Sequence, residues 1–161
     1  MKKLLLAILV VASSCSSIDC PISTKVAVNY GFYNASEQKD TLTDTLSVWS
    51  QRKDGTDTLL YNSGVNKTTL TLPISYQRPE DVLIFRIADT DTLKSVTLDT
   101  VWIKKEDIPH FESVDCAAHF FHTLTDIRST HRGIDTIYIK NPSVTYDTTV
   151  EHIRIRFKDR H

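Results

Sequence analysis

Hydrophobic and polar residues alternate with a two-residue period along most of this chain. The alternation is clearest at Lys25–Tyr33, where Val26, Val28, Tyr30 and Phe32 fall on one face and Lys25, Ala27, Asn29 and Gly31 on the other. The same period groups Leu70, Leu72 and Ile74, then Leu83, Phe85 and Ile87, then Val96, Leu98 and Trp102. It returns at Ile137 and Ile139 and at Ile153, Ile155 and Phe157. Side chains two apart share one side of an extended strand, so each group marks a strand with one buried face. Turn-forming residues separate the groups: Lys53-Asp54-Gly55, Asn62-Ser63-Gly64, Arg78-Pro79-Glu80, Arg132-Gly133 and Asn141-Pro142. Residues 104–113 interrupt the pattern, and Pro109 points to a turn or short helical piece there. About seven to nine strands spaced this way predict an all-β fold, an antiparallel immunoglobulin-like β-sandwich. It forms one domain over 25–161.

The first residues follow a different rule. Lys2 and Lys3 precede an apolar stretch from Leu4 to Ala12, and Ser13-Ser14 supply a small-residue exit before Cys15. That is the layout of a secretory signal, too short to span a bilayer. Ala12-Ser13-Ser14-Cys15 resembles a bacterial lipobox, in which cleavage before the Cys leaves an acylated amino terminus. The alternative is ordinary cleavage after Ser14, with Cys15 left as a plain thiol. The lipobox reading makes 1–14 a lipoprotein signal peptide and 15–24 a lipidated tether. Loss of Lys2 and Lys3 with the leader takes the net charge from −1 to −3.

Composition narrows the function further. Hydrophobic residues make up 40% of the 161 and charged residues 24%, which is globular usage. Nineteen basic side chains balance twenty acidic ones, so no electrostatic footprint for nucleic acid exists. Four glycines form no phosphate-cradling motif. A nucleophile elbow is also absent, and no catalytic residue, cofactor or metal is assigned. The expectation is a protein that is not an enzyme.

Three cysteines occur, at 15, 20 and 116. With Cys15 acylated, Cys20 and Cys116 remain as an even pair in an oxidising compartment, and a disulfide between them is expected. Cys116, His119 and His122, with His110 and His131 nearby, have zinc-ligand chemistry. In a strand, however, positions 119 and 122 point to opposite faces, so convergence on a metal fails. Asp89 and Asp91 lack the remaining oxygens of a calcium loop. Tyr30, Tyr33, Trp49, Tyr61 and Tyr76 offer stacking surface for a sugar, although Tyr30 falls on the apolar face. His152, Arg154, Arg156 and Lys158 alternate along the last strand. They suit either an anionic partner or an edge kept soluble by charge.

One dipeptide is overused. Asp-Thr occurs eight times, where fifteen Asp and twenty Thr at this length predict roughly two by chance. A turn-ending Asp before a strand-opening Thr explains such pairs structurally. The triplets with a following aliphatic residue or Thr also look like acceptors for periplasmic O-glycosylation in Bacteroidota. The candidates are Thr41, Thr45, Thr58, Thr92, Thr136 and Thr148, with Thr41 and Thr45 foremost and Thr100 least accessible.

Together, the lipobox, CSSIDCP, HFESVDCAAHFFHTL and IDTIYIKNPSVTYDTTVEHIRIRF resemble a family of small Bacteroidota lipoproteins known only as a domain of unknown function. The matching positions are Phe111, Ser113 and Cys116, then Asn141, Val144, Ile153, Ile155 and Phe157. Ala117 stands where that family commonly has Gly. The resemblance implies a β fold and an envelope location, with an outer-membrane β-barrel protein as companion. The expected function is that of an outer-membrane lipoprotein, held to the membrane by its N-terminal lipid and acting as an accessory or interaction protein. The alternative is a glycan or small-ligand binding module.

Overall fold

The computed structural model describes residues 25–52, 54–90, 95–111, 113, 116 and 118–158. The leader and tether, with Cys15 and Cys20, lie outside the described residues, and so does Thr92. Ten strands follow one another: β1 (Ala27–Phe32), β2 (Thr45–Ser50), β3 (Thr58–Gly64), β4 (Thr69–Pro73), β5 (Glu80–Ala88), β6 (Val96–His110), β7 (His119–Ser129), β8 (Ile134–Ile139), β9 (Ser143–Val144) and β10 (Ile153–Phe157). They form a four-stranded sheet, β4-β1-β10-β8, and a six-stranded sheet, β3-β2-β5-β6-β7-β9. Every neighbouring pair is antiparallel except β1 with β10. No helix occurs among the described residues, and the β-sandwich expected from the alternation is present.

The core lies between the sheets. Val28, Tyr30 and Phe32 of β1 face Leu83, Phe85 and Ile87 of β5, all buried. Each such side chain contributes about 1.5–3 kcal/mol on burial. Tyr30 meets Phe85 edge to face at 6.3 Å, a contact that ties the two sheets through their central strands. Burial of the Tyr30 ring raises its hydroxyl pKa well above the ordinary value, and the nearby Asp81 charge adds to the rise.

Three expectations need correction. In β6 the inward face is Asp99, Val101 and Ile103, whereas Val96 and Leu98 are exposed. Trp102 also faces outward, half-buried under the Arg128 guanidinium at 4.3 Å. Apolar residues occupy both parities of this strand, and the polar Asp99 breaks up the set that is actually buried. Residues 104–110 are strand rather than turn or helix, and Pro109 pairs with Phe120. Its missing N–H costs little because β5 begins only at Glu80, opposite Lys104, so that side of β6 has no strand ladder beyond. Asn62-Ser63-Gly64 belongs to β3, with Ser63 at φ 49°, and the chain turns only afterwards.

Asp99 is buried yet ionised. Its Oδ1 accepts from the Thr130 hydroxyl at 2.6 Å and the Arg132 N–H at 2.8 Å. Its Oδ2 accepts from the N–H groups of Gly133 and Ile134 at 2.6 and 2.7 Å. Burial pushes its pKa up, but the four donors outweigh that and hold it below the usual carboxylate range. His152 is the second buried polar anchor. The Asn29 N–H donates to its Nδ1 at 3.0 Å, joining the segment before β10 to β1. Burial lowers its pKa, only partly offset by the Ser143 carbonyl and Asp147. Its position is a correction too, because His152 sits inside and does not extend the basic face of β10.

Asp99→Ala strands buried N–H groups and is expected to cost about 3–5 kcal/mol in urea unfolding; Asn turns its NH₂ toward two donors and also destabilises. The depressed pKa of His152 means that its contribution is complete above an unfolded value of about 6.5 and declines as pH falls below it. Asp99, also depressed, keeps its contribution above about pH 4 and loses it at lower pH. Urea midpoints measured across the acid range should therefore fall in two windows. His152→Gln should reduce the upper one, leaving the part that His122, also depressed by burial, contributes.

Candidate functional site

Register places several chemically capable side chains at one end of the sandwich. Ala27, the first residue of β1, pairs with Pro73, the last of β4, and Glu80 at the start of β5 pairs with Lys104. From there β6 and β7 continue alone as a ladder as far as His110 opposite His119, with β9 beside residues 122 and 123. Residues 105–110 and 119–124 thus project beyond β5 as a hairpin, at the end where β1 begins.

The inward face of this hairpin carries a polar network. Lys105 has a fully buried side chain whose Nζ donates to the Arg78 carbonyl at 2.5 Å and to Asp107 Oδ1 at 3.0 Å. His122 Nδ1–H donates to the same Asp107 oxygen at 2.7 Å. Burial lowers the His122 pKa; Asp107 opposes this and Lys105 reinforces it, leaving a neutral imidazole. A carboxylate-oriented neutral histidine has the make-up of a general base. Among the described residues no hydroxyl or thiol is hydrogen-bonded to it, so the group cross-links β6 to β7 without a nucleophile.

Asp81 lies beside the network. Its Oδ2 accepts from the Ser75 N–H at 3.0 Å. Its Oδ1 is buried without a hydrogen bond, 3.5 Å from the Arg78 guanidinium, and burial raises the carboxyl pKa. The carboxylate borders a cavity of about 110 Å³ between the sheets, walled by Val28, Tyr30, Ile74, Leu83 and Ile103. Ser50, Leu60 and Ser75 connect it to a wider cleft with Arg52, Gln77 and Arg78 at the mouth. Arg78 itself is engaged, donating to the Gln51 carbonyl at 2.6 Å and the Ser50 hydroxyl at 3.2 Å.

Aromatic rings cover the hairpin. His110 stacks on Phe121 at 4.3 Å, and Tyr146 packs edge-on against His110, His119 and Phe121. On the opposite face Tyr76 lies parallel to Phe120, 5.2 Å away. Three large side chains at this end remain open to solvent: Phe111 is 64% exposed, Tyr76 58% and Ile108 49%.

A second network covers the outer face of the four-stranded sheet. Glu151 accepts from the Tyr33 hydroxyl at 2.8 Å, Lys140 Nζ at 3.0 Å and Arg154 Nε at 2.9 Å. Burial raises the Glu151 pKa, but these donors outweigh it and bring the carboxyl below its usual range. Gly31 makes this possible, since a Cβ there would collide with the Glu151 carboxylate and the Tyr33 ring. Arg154 stacks over Tyr33 at 4.1 Å and pairs with Glu37, while Arg156 pairs with Asp135. These arginines are therefore committed to internal partners.

The other expected site residues disperse. His119 and His122 fall on opposite faces of β7, as the strand period requires. Cys116 is half-buried near the hairpin end, but its expected partner Cys20 is outside the described residues. Tyr30 is core and Tyr33 is buried beneath Arg154; Trp49 and Tyr61 are half-buried, and Tyr76 stands apart at the hairpin. These rings form no common platform. Among the threonines, Thr41 and Thr148 are exposed, and Thr58, Thr100 and Thr136 are half-buried. Thr45 is buried at the start of β2, its hydroxyl 3.4 Å from that of Thr90, which removes it from the hydroxyls a transferase can reach on the folded domain. The polar approach from Ser36 made it look like loop, but Leu46 and Val48 carry Thr45 inside with them. The Lys105–Asp107–His122 network escapes a reading of sequence: Lys105 and Asp107 share a period, but His122 joins them only through cross-strand register.

Over residues 45–157 the chain matches DUF6452, a family of unknown function, and it belongs to that family. No curated protein matches it, and no solved structure does.

Histidine resonances should report the inner network. His122 is expected to titrate below the ordinary 6.5, and Asp107→Asn, by removing the carboxylate that favours the charged ring, should move it lower still. An upward shift in that variant would contradict the electrostatic assignment. Gly31→Ala should displace Glu151 and cost about 1–3 kcal/mol in thermal unfolding.

Proposed function

We propose that this protein is a lipid-anchored component of the cell envelope, held at the outer membrane through acylated Cys15, which acts as an interaction protein for a β-barrel partner. The anchor rests on the Lys2-Lys3 start, the apolar run and the small residues before Cys15. The Cys20–Cys116 disulfide and O-glycans on Thr41 and Thr148 belong to the same reading.

The observation that carries the interaction role is the edge strand β3. Sheet edges expose unpaired backbone groups, and proteins normally guard them with charge, proline or shortness. β9 is two residues long, β4 ends in Pro73, and β8 carries Asp135. β3 has seven residues without a charge, and Leu59 on it is 45% exposed. Among the described residues no strand lies beyond it. An extended segment of a partner can add there through main-chain hydrogen bonds, with Leu59 supplying a side-chain contact. The small-ligand alternative draws its support from the buried Asp81 carboxylate in a cavity of about 110 Å³ that shares Ser50, Leu60 and Ser75 with the wider cleft beside it.

Labelled palmitate should enter the wild type and not Cys15→Ser. A photo-crosslinking residue at position 59 should capture an outer-membrane β-barrel protein in native envelopes, and Asn62→Pro should abolish the capture. Absence of any barrel adduct, with the probe incorporated and the domain folded, would falsify the interaction role.

A further inference from the structure

We infer that the β6–β7 hairpin end is a second membrane contact: Tyr76, Ile108 and Phe111 enter the headgroup region of the same bilayer that holds the acyl chains of Cys15. The inference rests on the anchored reading and adds to it an orientation, with the hairpin end against lipid and the β3 edge standing clear.

The first argument is where the anchor must be. The chain enters β1 at Ala27, which is level with Pro73 and hence with the β4–β5 loop that carries Tyr76. From Cys15 to the first described residue, Lys25, the chain advances ten residues, which reach at most about 36 Å even fully extended. The chain therefore enters the sandwich from the lipid at this end, and among the described residues the hairpin is the part of this end that projects furthest along the strand direction. A Cys20–Cys116 bridge would shorten the free tether to the residues between 15 and 20 and bring the anchor to the hairpin itself.

The second argument is the chemistry of the surface. Exposed loop tips are ordinarily polar, yet Phe111, the first residue past the last ladder pair, is the most exposed large hydrophobic residue described. Ile108 lies three residues before it on the outward face of β6, and Tyr76, stacked on Phe120, brings a further exposed ring to the opposite face of the same end. Around them stand rings with an apolar body and a polar atom, His110, His119 and Tyr146. Such rings are suited to the boundary between acyl chains and water.

Charge decides what kind of lipid contact this is. The connection after Phe111 carries Glu112 and Asp115 in sequence, Glu106 is exposed on the hairpin, and Lys105 is buried in its network. No basic cluster faces the membrane here among the described residues, so anionic lipid offers no attraction and insertion of apolar side chains is the driving force. Binding is then insensitive to salt, unlike that of a polybasic segment.

The test uses the mature lipoprotein in protein-free phosphatidylethanolamine-rich vesicles containing brominated lipids, with palmitate incorporation measured on the same preparation. Phe111→Trp should be quenched by bromines near the headgroups, well above the wild-type signal of Trp49 and Trp102. An acylated Phe111→Trp protein that is quenched no more than the wild type overturns the inference, as does quenching that needs native envelope proteins, which would make the occupant a protein. A preparation without palmitate defeats the anchoring reading instead, and the unlipidated Cys15→Ser chain then decides the hairpin contact by flotation. It should float with the vesicles at low and high salt alike, and the exposed pair of substitutions Ile108→Ser and Phe111→Ser should reduce flotation by about tenfold or more. Failure to float, or equal flotation of that variant, overturns the hairpin contact.

Discussion

Where the chain leaves the six-stranded sheet at Ser129 and enters the four-stranded sheet at Ile134, the Asp99 carboxylate accepts from Thr130, Arg132, Gly133 and Ile134. Both oxygens are used twice, and the crossing is held against the inner face of β6. The four-stranded sheet is built outward from that point, since β8 pairs with β10, β10 with β1 and β1 with β4. The far end of β10 returns to the same corner, where the Lys158 N–H donates to the Gly133 carbonyl at 2.8 Å. Gly133 cannot easily be larger: a Cβ would lie 2.9 Å from Ile87 Cδ1 in the core. An ionised group in a protein interior is normally a liability, and here its hydrogen bonds to backbone turn it into a fixed point of the fold.

The same carboxylate explains which parts of the fold were legible. Strands with one apolar parity, such as β1 and β10, are readable residue by residue because burial is the only demand on them. β6 is misread in phase because Asp99 takes an inward position that a hydrophobic residue would otherwise mark. The projecting half of β6 is misread because Pro109 signals a break, and only the start of β5 at Glu80 makes a proline harmless there. His152 continues the basic parity of Arg154 and Arg156 on paper, but it precedes the strand and turns inward to Asn29. The polar networks are the least legible part. Lys105 with His122, and Glu151 with Tyr33, are partners by register across strands, which no local pattern encodes.

These networks also shape what the surface can do. Asp107 is taken up by Lys105 and His122, Glu151 by Tyr33, Lys140 and Arg154, and Asp135 by Arg156. Charged groups satisfied this way have little left to offer a ligand, and opening one leaves its partners unpaired at a cost of about 1–3 kcal/mol. The features still open are of another kind: apolar rings at the hairpin end, the backbone row of β3 and the small cavity beside Asp81. Association through side-chain insertion or strand addition fits that distribution better than charge-driven capture does.

The matched segment and the folding unit do not share a boundary. The match begins at residue 45, the first of β2, and so leaves out β1. Yet β1 is central to its sheet, with β4 on one side and β10 on the other, and it contributes Tyr30 to the contact with Phe85. Without it, β4 would lose the one sheet neighbour it has among the described residues and β10 one of two, leaving rows of backbone donors and acceptors unpaired. What β1 must supply is undemanding: alternating apolar residues, Asn29 to reach His152, and Gly31 to admit Glu151. The latch between β6 and β8 asks for more, a carboxylate at Asp99 and no Cβ at Gly133. The structural unit to be tested for binding or membrane contact accordingly starts at β1.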